Sequence, residues 1–185
     1  FLVFALWFDQ DLRITFLNFS FIDKTIYLNN FSIVFTLFSF LLFINALNMI
    51  DGINLLCGSY IFLLLLIIIF KLPIILILLL IIAIIPYLIL NAKDRIFLGD
   101  GGSILLSYLI SYLIIKSYNL ENNFYADEIF LIMMIPGIDM VRVAFTRIFS
   151  GLHPFSADRN HLHHIIQRHF NKTQTAFLTL FLIFT

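Results

Sequence analysis

Charge and cysteine are what this chain has least of. Only 12% of its 185 residues are charged, while 62% are hydrophobic. An ordinary soluble domain is nearer a quarter charged and half apolar. A soluble protein of this length could not hide so much Leu, Ile and Phe in one core, because much of its surface faces water. A bilayer removes that limit. The single cysteine, Cys57, excludes an internal disulfide framework and reads as one more small apolar residue beside an apolar run. The formal net charge is zero, so no bulk electrostatic attraction favours nucleic acid. No initiating Met and no basic leader is visible. The chain opens inside the apolar run Phe1 to Phe8 and ends inside another, Thr175 to Thr185, which reads as a piece of a longer protein.

What is present is a series of apolar runs near the ~20 residues that a membrane-crossing helix needs. They predict an all-α fold, a polytopic transmembrane helical bundle of about six spans or part-spans, forming one integral-membrane domain over residues 1–185. Phe1 to Phe8 is the tail of one span, and Asn30 to about Ile50 is the next. Leu56 to Phe70 and Pro73 to Leu90 form a hairpin turning at Lys71-Leu72-Pro73. Gly102 to Tyr118 follows, then Glu128 to about Phe149, interrupted by Pro136-Gly137, and a last span begins near Thr175. Asp9 to Asn29 is mixed and reads as a loop with a short interfacial strand or helix.

Threading these spans alternately puts Lys93, Arg95, Arg142, Arg147, Arg159, Arg168 and Lys172 on one side, and Arg13, Lys24, Lys71 and Lys116 on the other. An excess of Lys and Arg marks the cytoplasmic side, so the first group is expected there, with cytoplasmic loops at 91–101 and 150–173. Every unusual polar cluster then falls on that same face. A simple membrane anchor has no need of this.

The first cluster is Asn45, Asn48, Asp51 and Asn54, spaced by three at the end of a span. Residues three apart share a helix face, so these predict one polar stripe. A cap and a turn at Asp51-Gly52 would explain one Asn and one Gly; four polar residues at membrane depth favour a site. The second cluster is Phe97-Leu-Gly-Asp100-Gly101-Gly102-Ser103, directly before an apolar helix. Glycines admit a phosphate to the backbone, and a helix N-terminus favours anions. A carboxylate beside an anion suggests a shared divalent cation, since Mg²⁺ is usually held by one or two carboxylates plus substrate phosphates. An N-cap at Asp100 or Ser103 is the plainer reading of this cluster taken alone. The third cluster runs from His153 to His164 and includes Asp158, Arg159, His161, His163 and His164; all five histidines lie between His153 and His169. Arg and His suit a phosphorylated ligand. A zinc site fits less well, lacking both the i, i+4 spacing and a Cys partner. Asp139 and Arg142, three apart, read equally as a mutual pair and as ligand contacts.

Together these residues resemble the polyprenyl-phosphate N-acetylhexosamine-1-phosphate transferase family. Its Asn-Ala-x-Asn-x-x-Asp-Gly-x-Asp/Asn motif is matched by Asn45 to Asn54, its Phe-x-Gly-Asp-x-Gly-Ser by Phe97 to Ser103, and its Pro-Phe-x-x-Asp-Arg-x-His-x-His-His by Pro154 to His164. The His-x-His-His ending is closer to the N-acetylglucosamine branch. The resemblance implies transfer of a sugar-1-phosphate from a UDP-N-acetylhexosamine to polyprenyl (undecaprenyl) phosphate, with release of UMP, for cell-envelope polysaccharide synthesis. It implies Mg²⁺ (or Mn²⁺) at Asp100, with Asn48 in or beside the metal site. It implies catalytic roles for Asp51, Asp100, His161, His163 and His164, and substrate contacts for Asn45, Asn48, Asn54, Gly101, Ser103, Asp158 and Arg159. The expected setting is a bacterial inner membrane, with no nucleic-acid partner and room for a homodimer. Asp139→Asn is expected to matter less than Asp100→Asn. Two departures stand out. An earlier Asp-Asp motif of the family is absent, so this piece alone is expected to be inactive. Asn54 and Leu55 stand where many members carry Asp and Gly, and a neutral Asn54 cannot act as a base. The competing reading is a membrane transporter or a non-catalytic membrane subunit. A transporter would gather its polar residues near the bilayer midplane; here they gather at span ends.

Overall fold

In the computed structural model the described residues are 2–71, 74–121, 123–153 and 161–184. A short helix α1 (Leu2–Phe8) leads to the strands β1 (Phe16–Phe19) and β2 (Ile22–Tyr27). Then come α2 (Ser32–Ile50), α3 (Leu56–Ile68), α4 (Ile74–Asn91), α5 (Gly99–Glu121), α6 (Ala126–Phe149), α7 (Leu162–Gln167) and α8 (Lys172–Phe184). The fold is predominantly helical, as expected. The mixed stretch Asp9 to Asn29 supplies the exception: β1 and β2 pair antiparallel, Phe16 opposite Tyr27 and Leu17 opposite Ile26. Aromatic and β-branched side chains favour such a pleated ribbon.

Not every apolar run forms a helix of full spanning length. Among the described residues, two helices are long and apolar enough to cross a membrane, Asn29–Ile50 and Gly99–Glu121, and a third if the bent α6 is counted as one span. The helix α3 has 13 residues. At about 1.5 Å per residue it reaches roughly 20 Å, short of a hydrocarbon core of ~30 Å. With 18 residues, α4 comes closer, and its exposed Leu79, Ile82, Ile85 and Ile89 form a face suited to lipid.

The interior is built on α2, α3 and α5. Phe40, Phe43, Leu47, Tyr60, Leu64 and Ile110 are fully buried. Ser103, Ser107 and Ser111 line the buried face of α5, and small residues at this spacing let backbones approach closely without lipid between them. Each of the latter two hydroxyls donates to the carbonyl one turn back, that of Ser103 and that of Ser107 respectively. At one end, the hairpin is tied down by polar contacts. Tyr118 Oη accepts from Asn18 N–H at 2.8 Å and donates to the Phe16 carbonyl at 3.2 Å. Lys116 pairs with Asp9 at 2.9 Å, and Lys71 with Glu128 at 2.7 Å. These cations therefore share the end opposite the motif residues, as the threading expected.

The helix α6 bends by 58° between Met134 and Pro136. Proline has no N–H to give the carbonyl four residues back, which here is that of Ile132. Tyr60, buried on α3, donates its hydroxyl to this carbonyl at 2.7 Å. The bond satisfies the group that Pro136 orphans and fixes the bend. Tyr60→Phe should therefore cost about 1–3 kcal/mol, the penalty for a buried acceptor left unpaired. Thermal unfolding in detergent checks this; an unchanged midpoint would contradict it.

Candidate active site at one end of the bundle

The helix α2 stops at Ile50, and Asp51 is its C-cap, with Asp51 N–H on the Asn48 carbonyl at 3.3 Å. The expected four-residue helical stripe is thus corrected. Asn45 and Asn48 lie on the helix, Asp51 closes it, and Asn54 sits beyond it in a turn. The reason is local: Asp51-Gly52 favours turning over helix continuation. Leu55, next in the turn, has φ = 71°. That left-handed conformation costs a non-glycine residue about 1–2 kcal/mol. Asn91, 2% exposed at the end of α4, helps to hold it there. Asn91 Oδ1 accepts from Leu55 N–H at 2.6 Å, and its Nδ2 donates to the Ile96 carbonyl at 2.7 Å. Nothing in the sequence singled out Asn91, which looks like an ordinary polar residue ending an apolar run.

The glycine-rich segment is not a loop before α5 but its first turn, since the helix begins at Gly99. Gly99 adopts φ = 64°, which suits the residue that turns the chain into the helix. Ser103 is fully buried and donates its hydroxyl to Asn48 Oδ1 at 2.6 Å. The first two motifs are thereby joined by a side-chain hydrogen bond. Asp51 has its carboxyl pushed up to about 6 by burial and, secondarily, by the charge of Asp100, against the opposing Gly99 hydrogen bond. Asp100 itself is exposed, and a Cβ at Gly101 would meet nothing within 4 Å. The N-terminal turn of α5 is therefore open to a ligand.

The histidine segment closes on the same place. A Cβ on Gly52 would lie 2.8 Å from His163 Nε2 and 3.4 Å from His164 Nε2, so the missing side chain admits the two rings. His163 is 2% exposed, and its Nε2 is buried with no hydrogen-bond partner. Burial first, then the neighbouring His164 and His161, lower its pKa to about 4, so the ring is neutral at pH 7. Its ring lies parallel to that of His161, with centroids 5.8 Å apart, and 4.3 Å from that of His164. Asp139 anchors the segment. It pairs with Arg142 at 2.7 Å, as one sequence reading expected, and it also takes His161 Nδ1 at 3.0 Å and the Leu162 N–H at 3.1 Å.

Two motif residues bond outside the other motifs. Asn45 donates its amide to the Leu41 carbonyl of its own helix at 2.7 Å, and no hydrogen bond among the described residues joins it to the other motifs. Asn54 is bonded to Asp94, which also pairs with Lys172 at 3.3 Å. Asp158 and Arg159 lie outside the described residues. Among the described residues, no group of three or more His, Cys, Asp or Glu is arranged to hold a metal by itself. Asp51 feels the charge of Asp100, and two interacting carboxylates suit a divalent cation of the Mg²⁺ type. Beside the site, an apolar cavity of about 620 Å³ runs between α2, α5 and α6, lined from Leu17 and Phe19 of the hairpin to Val141 and Arg142.

Polar side chains gathered at one end of an apolar helical bundle describe a membrane protein with a candidate site at that end. The chain belongs to glycosyl transferase family 4, whose model matches residues 1–118. Among curated proteins, it is 32% identical over 166 residues to an undecaprenyl-phosphate alpha-N-acetylglucosaminyl 1-phosphate transferase of Salmonella typhi, covering 83% of this chain and 45% of the relative. The protein of the same name from Escherichia coli (strain K12) is 30% identical over 166 residues, with the same coverage of both chains. That of Haemophilus influenzae is 34% identical over 105 residues, 53% of this chain and 30% of the relative. The chain thus spans about half the length of the first two relatives. No solved structure matches it.

Proposed function

We propose that this chain carries the nucleotide-sugar half of an active site that transfers N-acetylglucosamine-1-phosphate, or a closely similar sugar phosphate, from a UDP-sugar to polyprenyl phosphate. The observation that carries this reading is the convergence of three sequence-distant motifs: Ser103 on Asn48, and His163 on Gly52. The names of the relatives supply the sugar and the lipid.

In the proposed reaction, an oxygen of the lipid phosphate attacks the sugar-bearing phosphorus of the UDP-sugar. The bond from that phosphorus to the bridging oxygen breaks, and the bridging oxygen leaves with UMP. Such transfers depend mainly on positioning and charge neutralisation. The open first turn of α5 offers backbone N–H groups to the diphosphate. Asp100 and Asn48 would hold the divalent cation, next to the Asp51 carboxyl that feels the Asp100 charge. When bound, Mg²⁺ supplies neutralisation of the phosphate charge. His164 is proposed to donate to a phosphate oxygen, and His161, its Nδ1–H held by Asp139, to accept from a sugar hydroxyl at Nε2. His163, neutral and buried, acts by seating the segment against Gly52. The apolar cavity between α2, α5 and α6 suits an isoprenoid chain, with Arg142 near its phosphate end. The Lys and Arg asymmetry supports a cytoplasmic site in a bacterial inner membrane.

The test uses the full-length protein in detergent, with undecaprenyl phosphate, Mg²⁺ and a panel of UDP-sugars. UMP should be released with UDP-N-acetylglucosamine in a lipid-dependent manner. UMP release with no UDP-sugar in the panel would overturn the reading.

A further inference from the structure

We infer that Asp139 is a positioning residue for the histidine segment, acting through His161 rather than on substrate; this rests on the proposed transferase reading. Three groups converge on its carboxylate. Oδ2 meets His161 Nδ1 at 3.0 Å, Oδ1 meets the Leu162 N–H at 3.1 Å, and Oδ1 also takes Arg142 Nη2 at 2.7 Å. Two of these come from the start of α7, 22 and 23 residues further along the chain. One carboxylate thus sets both a ring and the first backbone N–H of the helix that carries His163 and His164.

The chemistry of the contact defines what is set. A carboxylate accepts, so Nδ1 of His161 carries the hydrogen, and Nε2 is left for other use. His161 is buried to 7% exposure, and its ring lies within 5° of parallel to that of His163. A change in its orientation therefore reaches the ring that fills the space above Gly52. The bend of α6 at Pro136 directs the half-helix bearing Asp139, and Tyr60 fixes that bend. The position of the histidine segment is accordingly decided from within the bundle.

The experiment compares the full-length wild type with Asp139→Asn, Asp139→Glu, His161→Gln and the double variant Asp139→Asn/His161→Gln. Partners that fix a functional histidine typically matter by about 10- to 100-fold. Asp139→Asn should lower kcat by about that factor, with KM for the UDP-sugar changed less than about twofold, and Asp139→Glu should recover part of the loss. Because the two residues act as one unit, the double variant should fall little below the worse single variant. Wild-type kcat in Asp139→Asn, or single losses that multiply in the double variant, would overturn the assignment. Imidazole ¹⁵N signals, with His161 assigned from its own variant, give a readout independent of turnover. Asp139→Asn should shift the His161 signals away from the Nδ1–H pattern. If the wild type releases no UMP, the transferase reading fails, and these signals still decide the positioning role: unchanged His161 signals defeat it.

Discussion

Asp100→Asn in the full-length protein should reduce Mg²⁺-dependent UMP release about 1000-fold. Charge stabilisation through a metal ligand is worth several kcal/mol, and about 1.4 kcal/mol is a factor of ten in rate. The fold should survive. Asp100 is exposed in the first turn of α5, where loss of a negative charge costs only about 0.3–1 kcal/mol through the helix dipole. Ser103 and Asn48 keep their partners, because none of their side-chain contacts uses the Asp100 carboxylate. Activity and melting temperature should therefore separate. Near-wild-type turnover would remove Asp100 from the metal site.

Gly52→Ala carries the second large effect, and it tests convergence rather than charge. The added methyl would sit 2.8 Å from His163 Nε2, closer than real contacts allow. His163 cannot yield cheaply, being buried between the rings of His161 and His164. The histidine segment should lift by a fraction of an ångström to 1 Å, and misplacement on that scale can cost about 100-fold in rate. Stability should fall by about 1–3 kcal/mol, the usual cost of forcing extra volume against a packed group, with no added backbone strain because Gly52 is not among the positive-φ residues. Single-turnover assays of the variant check the first part and thermal unfolding the second. Turnover within twofold of wild type would mean that the contact has no bearing on the reaction.

The clusters were legible because polar residues in an apolar chain are conspicuous and costly. Asn48, Asp51, Asp100, Ser103 and the histidines all stand out by that criterion; the structure joins Ser103 to Asn48 and seats His163 and His164 against Gly52. Residues whose role depends on a distant partner were not legible. Asn91 matters because it bridges Leu55 and Ile96 across a turn. Tyr60 matters because a proline 76 positions later orphans a carbonyl, and the hydroxyl reaches Ile132. Asp139 was visible as the partner of Arg142, three residues on, because i, i+3 pairing is local. Its hold on His161 is not local, and no spacing rule reports it.

The sequence by itself determined the solvent and the ends: long apolar runs demand lipid, and the clustered Asn, Asp and His residues mark one end of the spans. Composition and local periodicity carry that information, because transfer free energies attach to individual residues. Tertiary structure alone decided where α2 stops, that α3 falls short of a span, and which motif residues touch. It directed Asn45 and Asn54 to other partners and turned the histidine segment onto Gly52. These outcomes depend on helix crossing and on a bend at Pro136 held from another helix. Such contacts join residues tens of positions apart, and a linear pattern cannot encode their geometry.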